Sequence, residues 1–140
     1  MVSTVAVGVD ASSTAGKAVQ LAAELARHFD AELVLLSAYR DAGGAVSHSP
    51  DEESAWATDP SARQRETLTR TEDRLREDGV RCSSLAAEGD PAEVLVRLAE
   101  ECAADILVVG SKGMERRVLG SVPNTVTHKA GCSVLVVKTA

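Results

Sequence analysis

Glycine, serine and basic side chains are concentrated in one short stretch, residues 110–125, with the sequence GSKGMERRVLGSVPNT. Glycines let a main chain approach a ligand closely, and cations beside them attract negative charge. The stretch therefore predicts a cradle for an anionic group. The residues that carry this prediction are Gly110, Lys112, Gly113, Arg116, Arg117, Gly120 and Ser121. Two other interpretations stay open: the glycines could only shape a tight strand-to-helix connection, and the arginines could be a solvated surface pair.

The cradle lies between a predicted strand and a predicted helix, within a regular alternation of the two. Short apolar segments at residues 3–10, 32–38, 80–89, 105–110 and 132–138 predict strands, and the segments between them at 13–29, 60–78, 90–104 and 118–130 predict helices. Such alternation predicts an α/β fold in which helices cover both faces of a parallel sheet. Ligands of open parallel sheets bind outside the carboxyl ends of the strands, where the strand order reverses. Asp10 and Gly110 would then line one crevice.

Local signals place several elements more closely. Asp90, Pro91 and Glu93 form a helix-start signature of a capping residue, a first-turn proline and an acidic side chain. The helix at 60–78 is highly charged and has few apolar anchors, Leu68 and Leu75. The segment at 40–58 has no periodicity and is rich in turn-forming residues, which predicts a long loop that could act as a lid.

Composition excludes several classes of protein. A chain of 140 residues predicts one domain, residues 1–140. Its net charge of −6 argues against nucleic acid and anionic membranes as partners. The three cysteines have no metal-ligand spacing, which predicts reduced, mostly buried thiols in a cytoplasmic protein. The first residues lack the features of a signal peptide, and no segment is apolar over the length that spans a bilayer.

Two apparent catalytic or metal motifs are weak. The segment ASSTAGKA at 11–18 resembles a P-loop but has Ala11 in place of the first glycine and Ala18 in place of the magnesium-binding hydroxyl, so Gly16 and Lys17 are predicted within a helix. The three histidines lie on separate segments, which predicts no metal site. The chain has no recognisable general base, so any ATP hydrolysis is expected to be slow.

Three segments resemble the universal stress protein family: residues 5–13, 89–101 and 105–138. The resemblance covers essentially the whole chain and implies a Rossmann-like open five-stranded parallel sheet of order 3-2-1-4-5 with four helices on both faces. It also implies a small cytoplasmic stress-response module that binds ATP, AMP or another adenine nucleotide, with or without Mg²⁺. Within it, Asp10 matches the position that contacts the ribose, with Val9 before it, and Ala38 matches a position near the adenine. The positions that match residues touching the nucleotide are Val109, Gly110, Ser111, Lys112, Gly113, Gly120, Ser121 and Val122. Arg117, with Arg116 beside it, could add a charge-assisted contact.

Two features depart from the family pattern. Six residues separate Gly113 from Gly120, whereas the pattern has nine, and the three missing residues remove roughly 10 Å of maximal reach. Ala11 stands where the family often has glycine. The alternative hypothesis is therefore a dimer that binds no nucleotide and acts through protein partners.

The last apolar segment predicts self-association. Residues 133–137 are apolar on both alternating faces and, in the family order, form an edge strand, which invites pairing with another chain. The resemblance implies a homodimer through Ser133 to Val137.

Overall fold

A computed structural model of the chain describes residues 1–9, 15–39, 60–111 and 121–138. In this part of the chain, strands and helices alternate as the sequence predicts. The elements are β1 (Thr4–Gly8), α1 (Ala15–Phe29), β2 (Glu32–Tyr39), α2 (Pro60–Glu77), β3 (Cys82–Glu88), α3 (Pro91–Glu101), β4 (Ile106–Gly110), α4 (Ser121–Lys129) and β5 (Ser133–Val137). The loop predicted at 40–58 lies outside the described residues.

The five strands form one parallel sheet in the order β3-β2-β1-β4-β5, which confirms the predicted α/β architecture. β1 is central: Val5 lies opposite Leu33 of β2 on one side and opposite Ile106 of β4 on the other. The strand order therefore reverses between β1 and β4. Ligands of such sheets bind at the reversal, which is the part of the sheet that the sequence prediction uses.

Two separate core clusters cover the two faces of the sheet. Alternate residues of β1 face opposite ways, so that Val5 and Val7 pack under α1 and α2 while Ala6 packs under α3 and α4. Because side chains alternate along a strand, burial on both faces requires a continuously apolar strand. This requirement accounts for the unbroken apolar runs of β1, β2 and β4.

α2 is held by few apolar contacts, as its sequence predicts. Leu68 and Leu75 are both 5% exposed, and they lie on the buried face of a helix that is rich in charged residues. The guanidinium of Arg76 adds a polar contact by donating from Nη2 and Nε to the main-chain oxygen of Cys82, at 2.8 and 3.2 Å. That oxygen belongs to an edge strand, so Arg76 satisfies an acceptor that no neighbouring strand reaches.

Helix ends explain where some predicted boundaries were wrong. The sequence predicts β3 from Val80, yet the strand begins at Cys82 because the Val80 amide closes the end of α2 by donating to the Leu75 oxygen at 3.0 Å. At the carboxyl end of β1, the sequence predicts a strand that runs to Asp10, but the described strand ends at Gly8. Asp10 itself lies outside the described residues, as does Val118, where the last helix was predicted to begin.

Three helices end in the same hydrogen-bonded motif, in which one residue takes a left-handed conformation. At the end of α1, Ala31 donates to the Ala26 oxygen and Asp30 to the Arg27 oxygen, and equivalent pairs close α2 and α3. The left-handed residues are Asp30 (φ 56°), Gly79 (φ 85°) and Ala103 (φ 53°). Only glycine takes this conformation without a steric penalty from Cβ, so Ala103 is a strained position.

The carboxylate of Asp105 joins the amino ends of β1 and β4. Its Oδ2 accepts hydrogen bonds from the Ser3 and Thr4 amides at 2.8 and 3.0 Å, and its own amide donates to the Thr4 oxygen at 2.8 Å. The amide of Ser3, followed by that of Thr4, lowers the pKa of Asp105, because both bonds favour the ionised form. This contact fixes how the two strands start relative to each other.

All three cysteines are free thiols, as predicted. Cys82 is 7% exposed, whereas Cys102 and Cys132 are only half-buried, so the expectation of burial holds fully for one of them. Within the described ranges, no helix combines the length and the apolar character needed to cross a membrane.

Replacing Ala103 with glycine should stabilise the protein. Ala103→Gly relieves the left-handed strain at an exposed position, and we expect the free energy of unfolding to rise by about 1 kcal/mol in urea titrations. Gly79→Ala is the matched control, since it introduces the same strain at φ 85° and should lower that free energy by about 1 kcal/mol. Equal effects of the same sign from the two substitutions would contradict the explanation.

The contribution of Asp105 to stability should disappear in acid. The pKa of Asp105 is lowered in the folded state from an ordinary value of 3.8, so its stabilisation is present above that value and is lost as the pH falls through the folded pKa. Asp105→Asn should therefore be less stable than the parent chain at pH 7, and the difference should shrink below pH 3.8. A difference in unfolding free energy that is constant between pH 7 and pH 2 would contradict this assignment.

Candidate functional site

The two central strands separate at their carboxyl ends. The ladder between β1 and β4 ends with Val7 opposite Val108. Beyond this pair, β1 follows β2, because the Val9 amide donates to the Leu36 oxygen at 2.8 Å. β4 follows β5 in the same way, with Ser111 donating to the Val137 oxygen at 2.9 Å. A crevice therefore opens between the end of β1 and the end of β4.

α3 forms one wall beside this crevice by packing closely on β1. A Cβ added to Gly8 would lie 3.0 Å from Leu95 Cδ1 and 3.3 Å from Leu95 Cδ2. Leu95 is 7% exposed and belongs to the buried apolar face of α3, with Val94 and Leu98. Glycine at position 8 thus permits the close approach of helix and strand at the carboxyl edge of the sheet.

The first turn of α4 lies at the same edge, because α4 follows β4 and returns to the start of β5. Val122 and Val126 pack against the core under α3, which leaves Ser121 exposed at the helix start. The turn contains no acidic residue, and its third residue, Pro123, has no amide hydrogen. The amides of Ser121 and Val122 remain as donors at the positive end of the helix dipole, which suits an anionic ligand.

α3 also begins at the carboxyl edge, but its start differs from that of α4. Asp90 caps it, with Oδ2 accepting from the Glu93 amide at 3.3 Å, as the sequence predicts. Two carboxylates, the capping Asp90 and Glu93 of the first turn, therefore lie at the start of α3. Their negative charge disfavours an anion there, so the two helix starts are not equivalent as phosphate sites.

The structure brings seven of the predicted site residues to this edge. They are Val9, Ala38, Val109, Gly110, Ser111, Ser121 and Val122. Val9 and Val109 are 8% and 3% exposed, and their side chains pack into the two different core clusters. These two valines therefore present main-chain groups, rather than side chains, at this edge. The other predicted residues, Asp10, Lys112, Gly113, Arg117 and Gly120, lie outside the described residues.

Two buried polar residues lie at this edge. Ser37, near the end of β2, is 1% exposed, and Ser111, directly after β4, is 0% exposed. Ser111 falls within the stretch that the family resemblance assigns to the site, whereas Ser37 was not singled out from the sequence. Ser37 interrupts an apolar run near the carboxyl end of a strand, which is the signal that sequence analysis could have used. Buried hydroxyl groups are normally hydrogen-bonded and so fix the local geometry of a strand end.

The groups with displaced pKa values lie at the opposite edge of the sheet. Burial raises the pKa of Cys82 to about 11 and, less strongly, raises those of Cys102 and Cys132. These thiols and Asp105 are all at or near the amino ends of strands. A shallow cavity of about 170 Å³ also opens at that edge, beside Asp30 and Arg81. In the described parts of the chain, no three metal-binding side chains are grouped as a metal site would require.

Known proteins match the chain along its whole length. A sequence model of the universal stress protein family matches residues 1–138. Universal stress protein Rv1636 of Mycobacterium tuberculosis is 36% identical over 144 residues, which cover 97% of this chain and 96% of the relative. These matches agree with the family resemblance carried by the three sequence segments.

Solved structures share the fold as well. The crystal structure of a universal stress protein in complex with cAMP is 31% identical, has a TM-score of 0.77 and is matched over 99% of this chain and 98% of the other. A universal stress protein family protein from Arabidopsis thaliana with AMP bound is 25% identical, with a TM-score of 0.77 and coverage of 99% and 92%. Both neighbours therefore carry an adenine nucleotide on this Rossmann-like fold.

A side chain at position 8 should lower the stability of the protein, because Leu95 of α3 leaves little room for it. Gly8→Ala places a methyl group 3.0 Å from Leu95, and Gly8→Val adds two more, so we expect losses of about 1 and about 3 kcal/mol in unfolding free energy. Gly16→Ala is the control, because nothing lies within 4 Å of its added Cβ on the exposed start of α1. It should leave stability unchanged or higher. Equal effects at positions 8 and 16 would show that Leu95 accommodates the methyl group.

Proposed function

The chain belongs to the universal stress protein family, and we propose that it binds an adenine nucleotide in the crevice between β1 and β4. The observation that carries the proposal is the separation of these strands after Val7 and Val108, with the first turn of α4 at the same edge. The cAMP and AMP complexes of two structural neighbours support the class of ligand.

In this proposal the phosphate lies against the start of α4. The amides of Ser121 and Val122 donate to it, together with that of Gly120, and the Ser121 hydroxyl adds a further donor. Lys112 and Arg117 supply positive charge, and Gly110 and Gly113 let the main chain approach. Of these residues, Gly110, Ser121 and Val122 are described by the structure, and their positions agree with the proposal.

The nucleoside is assigned to the ends of β1 and β2. The Asp10 carboxylate accepts from the ribose hydroxyls, as acidic residues do in dinucleotide folds, and Ala38 lies near the adenine. Val9 and Val109 line the crevice through their main chain. Within the adenine nucleotides we propose ATP, accompanied by Mg²⁺, as the ligand to test first, with AMP and cAMP as its competitors.

We propose that the protein works in the cytoplasm as a binding module of the stress response and that hydrolysis of ATP is at most slow. Binding, rather than turnover, is what the edge is equipped for: it offers main-chain donors and small residues. A dimer that acts through protein partners without a nucleotide is the alternative, and the six-residue segment between Gly113 and Gly120 is the observation that favours it.

Calorimetric titration with ATP, AMP and cAMP, each with and without Mg²⁺, tests the proposal. We expect binding by the parent chain and at least a tenfold weaker affinity for Gly120→Val, because an added side chain at the helix start would obstruct the phosphate. Gly131→Val is the matched control at the other end of α4, where an added Cβ meets nothing closer than 4.0 Å. Equal affinity of the parent chain and Gly120→Val, or no binding of any of the three, would favour the alternative.

We further propose a homodimer that pairs the β5 edges, from Ser133 to Val137. β5 ends the sheet, and Val134, Leu135, Val136 and Val137 are all half-exposed. The Val137 oxygen bonds to Ser111, so the alternating amides of Val134 and Val136 point away from β4 towards the open edge. They are donors that a second copy of the strand can use.

A proline at the open edge should separate the dimer without disturbing the sheet. Val136→Pro removes an outward amide hydrogen and adds a ring that blocks strand pairing, while the ladder to β4 is retained. Sedimentation at tens of micromolar should give a dimer for the parent chain and a monomer for the variant. Ala86→Pro is the matched control, at an exposed position on the other edge strand, and should stay dimeric. A monomeric parent chain would contradict the proposal.

A further inference from the structure

Two of the three thiols lie on the same side of the sheet, where the end of α3 meets the start of β5. Cys102 is the C-terminal capping residue of α3, and Cys132 directly precedes Ser133 of β5. Both are half-buried against the core cluster between the sheet and α3 and α4. They are separated by 30 positions in the chain, yet the fold places them against one cluster.

The segment that leads into β4 lies beside both sulfur atoms. The Ala104 amide acts on the Cys102 thiol and the Leu107 amide acts on the Cys132 thiol, and each contact lowers the pKa of its cysteine while burial raises it more. The register that sets Ile106 opposite Ser133 brings the start of β5 alongside this segment. The register therefore sets Cys132 alongside Asp105, which is three residues after Cys102.

The chain before Cys132 also comes near the last turn of α3. A Cβ added to Gly131, which precedes Cys132, would lie 4.0 Å from Oε1 of Glu100, which is two residues before Cys102. After burial and the amide contacts, the charge on Cys132 is a further cause that raises the pKa of Cys102, as expected for neighbouring thiols. The strand register, the approach of Gly131 to Glu100 and the effect of Cys132 on the Cys102 pKa therefore place the two thiols in one neighbourhood.

Cys82 does not belong to this pair. It lies in the cluster on the other face of the sheet, under α1 and α2, and is 7% exposed. Its thiol is the most strongly protonated of the three, because burial raises its pKa to about 11. Cys82 is therefore an internal control for any chemistry of the pair.

We propose that Cys102 and Cys132 are a redox site that forms a reversible disulfide with hydrogen peroxide as the oxidant. One thiolate attacks a peroxide oxygen, the O–O bond breaks, and the departing hydroxide takes a proton to leave as water. The sulfenic acid that results is attacked by the second sulfur, its S–O bond breaks, and a second water leaves. Two thiols lose two electrons in total, and one peroxide is reduced to two waters.

The bond would close a loop that contains β4, residues 112–120 and α4. It would join the end of α3 to the start of the edge strand, and so restrain the polypeptide that carries both the candidate nucleotide site and the proposed dimer edge. The inference needs neither nucleotide binding nor dimer formation, since it rests only on the placement of the two thiols.

Peptide mass mapping of the full chain after treatment with hydrogen peroxide tests the proposal. We expect a Cys102–Cys132 cross-linked peptide, a loss of about 2 Da from the intact chain and full reversal by dithiothreitol. Because the attacking species is the thiolate and burial disfavours it, formation should be followed over hours. Cys82→Ser should form the same bond, whereas Cys102→Ser and Cys132→Ser should not.

Differential alkylation of the parent chain supplies a readout that does not depend on the folding of any variant. After oxidation, Cys102 and Cys132 should be protected together, and Cys82 should be recovered as a free thiol once the chain is unfolded. A disulfide that includes Cys82, a disulfide between two chains, or sulfinic acid without any disulfide would overturn the proposal.

Discussion

The central position of β1 is the constraint on which the rest of the structure depends. β1 is hydrogen-bonded to β2 on one side and to β4 on the other, so the remaining strands, β3 and β5, pair with β2 and β4 at the two edges. At the amino end the Asp105 carboxylate holds β1 and β4 together through the Ser3 and Thr4 amides. At the carboxyl end each strand follows its outer neighbour instead, through Val9 and Ser111. The pair is therefore closed at one edge and open at the other, and the open edge is where α4 begins.

The two edges of the sheet have different chemistry as a consequence. The carboxyl edge offers small residues, strand ends and the first turn of α4, a set that suits binding of a phosphate without a change in protonation. The amino edge carries Asp105 and the three thiols, where hydrogen bonds or burial displace the pKa values. The proposed nucleotide site and the proposed thiol site would thus lie at opposite edges of the sheet, one strand length apart. The segment that includes β4 and α4 connects the two sites along the chain.

Stability in this fold comes mainly from the β1, β2 and β4 strands and from α1 and α3, whose apolar faces fill the two clusters. α2 contributes less apolar area, since Leu68 and Leu75 are its buried anchors and its i,i+4 ion pairs, such as Arg70 with Glu66, are exposed. Exposed pairs of this kind add little stability. Three helix ends use a left-handed residue, and at Ala103 and Asp30 the chain accepts strain that glycine avoids at position 79.

The sequence by itself determined the element order, the parallel sheet and the cap at Asp90, because apolar periodicity and capping chemistry are local properties of the chain. It also brought Gly110, Ser121 and Asp10 together as site candidates, largely through resemblance to known proteins. Only the tertiary structure decided that β3 starts at Cys82, since the Val80 amide is hydrogen-bonded to the Leu75 oxygen at the end of α2. Only the structure placed Cys102 and Cys132 against one core cluster and set Gly8 against Leu95. Such pairings depend on which strands are neighbours and in what register, and no short stretch of sequence encodes a contact between residues so far apart in the chain.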